Sequence, residues 1–214
     1  MSNTSTKLDF KRTLKHLYTP SKKAFSVVEV PTMNFLMIDG KGDLSSNSFY
    51  QDASEALYAT SYKLKFMSKT TLDKDYVVPP LEGLWWADDI RSFTTKRDKS
   101  KWHWTMMIMV PEWLTAPLVD QAKVQAAAKK ALPALPKVRF EAYDEGLCAQ
   151  IMHVGSYEDE GPILAELHNT WLPEHGYSEA GTHHEIYLSD PRRVAPEKLK
   201  TVLRQPIQTL ANPA

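Results

Sequence analysis

The sequence predicts an α+β protein: two pseudo-symmetric strand–helix–strand–strand units, side by side, forming an antiparallel sheet with helices on one face and a cleft at the junction. Three observations carry this. Strand-like and helix-like segments follow an order that repeats once along the chain. The segment from Trp102 to Val110 alternates without a Lys, Arg, Asp or Glu, as a strand buried on both faces does. The 214 residues are 43% hydrophobic and 24% charged, enough to bury a core and too apolar for a disordered chain.

Residues 1–24 are polar and basic, with a short apolar stripe of Leu8, Leu14, Leu17 and Tyr18 that suits a docking helix ended by Pro20. This N-terminal extension is too short for a helix-turn-helix. From Phe25 to Ile38 the chain reads as β, rich in Val, Phe, Leu and Ile, with Pro31 at an edge or bulge and Asp39-Gly40-Lys41-Gly42-Asp43 as a turn. Asn47 to Met67 is a helix: Phe49, Ala53, Ala56, Leu57, Thr60 and Leu64 recur at helical spacing, and Asn47 or Ser48 caps it. Tyr58 and Tyr62, four apart, share a neighbouring stripe. Residues 76–87 form a strand bent by Pro79-Pro80. After a charged loop, the Trp102–Val110 strand closes the first half.

Thr115-Ala116-Pro117 starts a second helix, running to about Leu132 and stopped by Pro133 and Pro136. Val138–Tyr143 and Leu147–Val154 read as a hairpin around Asp144-Glu145-Gly146. A third helix follows Gly161-Pro162, with Ile163, Leu167 and Trp171 on one stripe and Pro173 and Gly176 at its end. His184–Ser189 is a strand, Asp190-Pro191-Arg192-Arg193 a turn, and Lys200–Ile207 the last strand. One domain over residues 25–208, with pseudo-repeats at about 25–112 and 113–208, is expected.

Composition narrows the function classes. Twenty-six basic and 26 acidic residues cancel, so the electrostatic footprint of a nucleic-acid binder is missing. No apolar run reaches the about 18–20 residues of a membrane span, and the first residues lack an apolar signal core; a cytoplasmic protein is expected. One cysteine rules out a disulfide scaffold. No Walker A, GxGxxG, G-x-S-x-G or H-E-x-x-H pattern occurs, and adjacent strand residues His183 and His184 point to opposite faces, so neither metal nor cofactor is expected. Six Trp, nine Tyr, seven Phe and eight Met are a supply of rings and soft side chains that fill cores or line cavities for flat organic ligands.

His153-Val154-Gly155-Ser156-Tyr157, a helix, then Tyr177 and His184-Glu185-Ile186-Tyr187-Leu188-Ser189-Asp190-Pro191 resemble the GyrI-like (gyrase-inhibitor-like) small-molecule-binding domain. Asn34-Phe35-Leu36-Met37-Ile38-Asp39-Gly40, Pro80-Leu81-Glu82-Gly83-Leu84-Trp85-Trp86 and the C-terminal Leu-Ser-Asp-Pro-Arg-Arg look like a stand-alone bacterial branch of that family. The likeness covers roughly residues 7–208. It implies the same fold in pseudo-twofold arrangement around a central ligand cleft, with the glutamate at Glu185 in the ligand cavity. In that branch some members are hydrolases that open the cyclopropane of cyclopropanoid DNA-alkylating natural products.

The residues are consistent with such chemistry. Alternation puts His183, Glu185 and Tyr187 on one face and His184, Ile186 and Leu188 on the other; with Ile186 and Leu188 under a helix, Glu185 and Tyr187 are expected on the opposite, cleft side. A carboxylate inside an apolar strand is costly unless it has a partner or a task. Glu82, alternating with Leu84 and Trp86, is the second carboxylate, either across the cleft from Glu185 as its acid–base counterpart or solvated on an edge strand. Trp86, Trp104, Tyr157, Tyr187, Tyr58 and Tyr62 are candidate ring walls, Tyr157 and Tyr187 being included in the family motif. Glu158-Asp159-Glu160 is read as charge favouring the third helix's N-terminus.

Two functions stay open. One is a cofactor-independent hydrolase adding water to an electrophilic, hydrophobic aromatic small molecule, a xenobiotic-detoxifying role. The other is a non-catalytic module that sequesters or senses hydrophobic or cationic drugs through Glu185 and its rings.

Overall fold

The structure, a computed structural model, describes residues 7–44, 48–89 and 98–210. In chain order the elements are α1 (Phe10–Thr13), α2 (Lys15–Tyr18), β1 (Ser26–Val30), β2 (Met33–Lys41), α3 (Ser48–Thr71), β3 (Leu81–Trp86), β4 (His103–Val110), α4 (Ala116–Ala127), β5 (Arg139–Tyr143), β6 (Gly146–Val154), α5 (Gly161–Glu166), α6 (Leu172–Glu174), β7 (Tyr177–Glu179), β8 (His183–Tyr187) and β9 (Lys200–Thr209). A π-helical turn, Leu167–Trp171, joins α5 to α6. The α+β class and the antiparallel pairing are as expected. The expected Asn47 cap lies outside the described residues.

The chain divides into two compact units, one of residues up to Leu14 with Met33–Tyr143, the other of Lys15–Thr32 with Asp144 onward. In the first, the strands pair in the order β5-β2-β4-β3. α3 covers the Trp104 face, where Phe49 stacks on the indole at 5.9 Å and Tyr50 meets it edge-on at 6.0 Å. Gly40 is not part of a turn: β2 runs on to Lys41, paired opposite Trp104, and a Cβ at Gly40 would sit 2.1 Å from the indole ring. The glycine is there for close approach. On the opposite face, Phe10 of α1 packs against Phe35, Met37, Leu84, Met107 and Met109. The strand expected from residue 76 starts only at Leu81, because Pro79 and Pro80 cannot donate to a ladder; Tyr76 instead bridges Leu8.

In the second unit the order is β1-β6-β9-β8, with β7 also on β9. Each unit therefore has the same topology: a strand, a helix and two more strands, with the last strand in the middle and an added strand flanking the first. The added strand explains the one pairing the sequence misplaced. β5 pairs with β2 and β6 with β1 and β9, so Asp144-Glu145-Gly146 closes no hairpin. The segment from α5 through α6 packs Leu167 and Leu172 on Ala149 and Ile207, with Trp171, Tyr177 and Phe25 around them. No helix among the described residues is long and apolar enough to cross a membrane.

Candidate functional site

β8 carries the densest chemistry. Its alternation is as read, with His184 and Ile186 wholly buried and His183, Glu185 and Tyr187 on the other face. The direction is reversed, however. Glu185 pairs opposite Leu203 on β9, whose odd-numbered residues continue to Ile207, and Ile207 lies under the helical segment with Leu167 and Leu172. Glu185 thus faces the helix. Ile186 and His184 take the far face, which the N-terminal segment covers through Leu17 and His16, whose carbonyls accept hydrogen bonds from Arg204 and Gln150. In sequence the Ile186 side is the more apolar, but both faces are covered, and packing decides which one meets the helix.

Around Glu185 the helix-side face is polar and ringed. The Tyr187 hydroxyl donates to Glu185 Oε2 at 2.9 Å, and Tyr157, from the turn before α5, meets the Tyr187 ring edge-on at 5.7 Å. His183 Nε2 lies 3.7 Å from Glu185 Oε1. The Glu185 side chain is only 14% exposed. Burial raises its pKa to about 7, with the Tyr187 hydroxyl and the charge of His184 pulling the other way. A carboxyl so placed exchanges a proton near neutrality, as a general base must.

Two groups in this cluster escaped the sequence reading. Glu160, taken as a helix-terminus charge, is 5% exposed. Burial first, and the charge of Glu185 second, hold its pKa far above the carboxylate range, while the Thr201 hydroxyl hydrogen-bonded to it pulls back. Thr201 is the cross-strand neighbour of Tyr187. His183, read only as an unlikely metal ligand, is kept neutral: burial lowers its pKa to about 3, and His168 and His184 push the same way. Among the described residues neither ring nitrogen of His183 makes a hydrogen bond, and the nearby Gln205 amide is donated to the Ala180 and Pro206 carbonyls. His168 projects from the π-helical turn to Glu179 at 3.1 Å. Period-two spacing with Glu185 was the signal for His183; nothing in the sequence marked Glu160.

The motif residues have structural tasks beside these. His153 donates from Nε2 to the Ser156 carbonyl at 3.0 Å, and Gly155, at φ 156°, lies against that ring, where a Cβ would come within 3.0 Å of Nε2. The turn so formed delivers Tyr157 and then Glu160.

The remaining candidates belong to the first unit. Glu82 is wholly buried on β3, opposite Met107, so the solvated-edge alternative does not hold. Trp86 is 37% exposed and stacks on His103 at 5.6 Å and 16°. Trp104 is wholly buried in the α3 layer, its indole N–H directed to the Gly42 carbonyl. Tyr58 and Tyr62 stack on each other at 6.4 Å, with Tyr62 exposed. Of the six rings, Tyr157 and Tyr187 accompany Glu185.

Comparison with known proteins bears on this site. Residues 23–208 match the family model of the GyrI-like small molecule binding domain. The chain is similar to an uncharacterized conserved protein from Listeria innocua, at 40% identity over 94% of this chain and 100% of that one, with a TM-score of 0.86. It is similar to a hydrolase from Listeria innocua at 40% identity, over 94% of this chain and 100% of the other, with a TM-score of 0.82. The EcmrR C-terminal domain, 11% identical over 87% of this chain and 98% of that one, shares the fold at a TM-score of 0.56. No curated protein matches.

Proposed function

Because the chain belongs to the GyrI-like small-molecule-binding family, we propose that it is a cofactor-independent hydrolase that adds water to flat, electrophilic small molecules of the cyclopropanoid type, a detoxifying role. The observation that carries this reading is Glu185: a carboxyl withdrawn from water, hydrogen-bonded by Tyr187 beside Tyr157, with a pKa raised to about 7. The hydrolase similar to this chain over its whole length supports it.

A cyclopropane conjugated to a dienone is strained and already activated, so the protein needs little machinery. Glu185 orients a water and takes its proton as the oxygen attacks the ring carbon; the breaking C–C bond releases its electron pair into the dienone, which becomes a phenolate. The Tyr157 and Tyr187 rings hold the flat ligand in line for attack. The second reading, capture of hydrophobic cations without turnover, draws on the same carboxylate between rings.

Incubation with cyclopropadienone probes and planar cationic dyes, followed by mass spectrometry, separates the two. Water addition with turnover is expected, falling by about 10²–10⁴-fold in Glu185→Gln while the neutral probe still binds. Saturable dye binding with no mass gain on any probe selects the binding module. A Glu185→Gln variant as fast as the parent sinks the base assignment and leaves Glu82 as the remaining sequence candidate.

A further inference from the structure

The structure assigns Glu160 a role with Glu185: we propose that the two form a one-proton carboxyl pair, in which Glu160 is the acid that lends its proton to the ligand oxygen. This deepens the hydrolase reading and, in its catalytic part, rests on it. The geometry carries it. Glu160 closes the turn that follows the His153-to-Tyr157 motif, directly before α5, and its carboxyl is buried within reach of the Glu185 charge. The Thr201 hydroxyl bonds that carboxyl, and Thr201 neighbours Tyr187, whose own hydroxyl bonds Glu185. The Oε1 atom of Glu160 is left buried with no hydrogen bond among the described residues. A buried, unsatisfied carboxyl oxygen costs stability and calls for an explanation; a ligand atom that it would meet on binding is one.

Two carboxyls in one low-dielectric site cannot both ionise without strong repulsion, so they hold one proton between them. Among the described residues the effects on Glu160 include none from a cation. The titratable groups about the pair are Tyr187 and neutral His183 on β8, Tyr157 on the preceding turn and His168 on the π-helical turn, with the charge of His184 acting on Glu185 from across β8. In the proposed reaction Glu185 gains the water proton as the C–O bond forms and the ring C–C bond breaks. Glu160 gives its proton to the developing phenolate oxygen. Glu185 is then protonated and Glu160 ionised, and transfer of that proton within the pair restores the starting state without any external acid.

The test needs no ligand for its first arm. In the full chain labelled with ¹³C at the glutamate carboxyls, NMR titration is expected to show one buried glutamate still protonated at pH 8, assigned to Glu160 by its loss in Glu160→Gln. In Glu185→Gln the Glu160 step should move to lower pH, because the neighbouring charge is gone. Glu160 ionised at pH 8 in the parent, or unmoved by Glu185→Gln, overturns the pair. The Glu185→Gln arm reads the intact Glu160 side chain, so it decides even where Glu160→Gln fails to fold. In the second arm, Glu160→Gln should lower cyclopropadienone turnover by about 10²-fold or more, with Glu160→Asp partly restoring it; parent-like turnover overturns its catalytic part. If the parent turns over no probe while the titrations remain coupled, the hydrolase reading falls and the carboxyl pair stands.

Discussion

Glu145 shows how a single buried charge is tolerated in this chain. It accepts from His184 Nδ1 at 2.8 Å and from Arg204 at 3.0 Å, and Arg204 also reaches Gln150 and the Leu17 carbonyl. Burial alone would raise the Glu145 pKa, but the two cations outweigh it and hold the carboxyl down at about 2. A carboxyl depressed below its ordinary 4.5 contributes stability that is fully present above that value. That contribution is lost as pH falls toward about 2. Chemical denaturation is therefore expected to show falling stability below about pH 5, and a Glu145→Gln variant should show a flatter acid limb. Arg204→Met, which leaves Glu145 with one cation and frees two further acceptors, should cost about 3–5 kcal/mol at neutral pH. A urea midpoint within error of the parent would show that the network is not stabilising. Glu185 follows His184 directly along β8 and obeys the opposite logic: burial outweighs the Tyr187 hydroxyl and the charge of His184, so its pKa rises.

At the scale of elements, the β2–β4 ladder and the helical segment above β8 illustrate what closeness demands. Gly40 lies in mid-strand with the Trp104 ring where a side chain would begin, and that ring is fixed between Phe49 and Tyr50. Gly40→Ala must push an indole within a filled layer and should cost about 1–3 kcal/mol, read as a lowered denaturation midpoint. An unchanged midpoint would mean the layer yields freely. Over β8 the helix departs from α geometry at Leu167–Trp171, and such π turns are frequent at functional sites. Here the turn directs His168 to Glu179 beside the Glu185 cluster.

The whole molecule exchanges strands between sequence halves. The unit built on β2 takes β5 from beyond the middle of the chain, and the unit built on β6 takes β1 from near its start. A chain cut between residues 112 and 113 leaves each fragment without its flanking strand and with an apolar edge uncovered. Fragments expressed separately are expected to be unfolded or aggregated by circular dichroism and size exclusion, whereas co-expression restores both complements. Independent folding of either fragment would show that the flanking strands are dispensable.

The α+β class, most element positions and the face-by-face alternation of β4 and β8 were legible in the sequence, because the periods of helices and strands are local properties of the chain. The Glu185–Tyr187 pair followed from the same period. What sequence could not decide was anything set by distant partners. Strand pairing was one: Asp144-Glu145-Gly146 has turn chemistry, yet β5 and β6 bond elsewhere, since ladder partners are chosen by burial across the fold. Which face of β8 meets a helix was another: the more apolar Ile186 side is covered by the N-terminal segment instead. Glu160 was the third. Its neighbours Glu158 and Asp159 are exposed and it is buried, a difference created only when the turn after Tyr157 folds it toward Thr201 and Glu185. Local pattern determined the elements, and the burial of Glu160 and Glu185, which raises the pKa of both carboxyls, came only with tertiary packing.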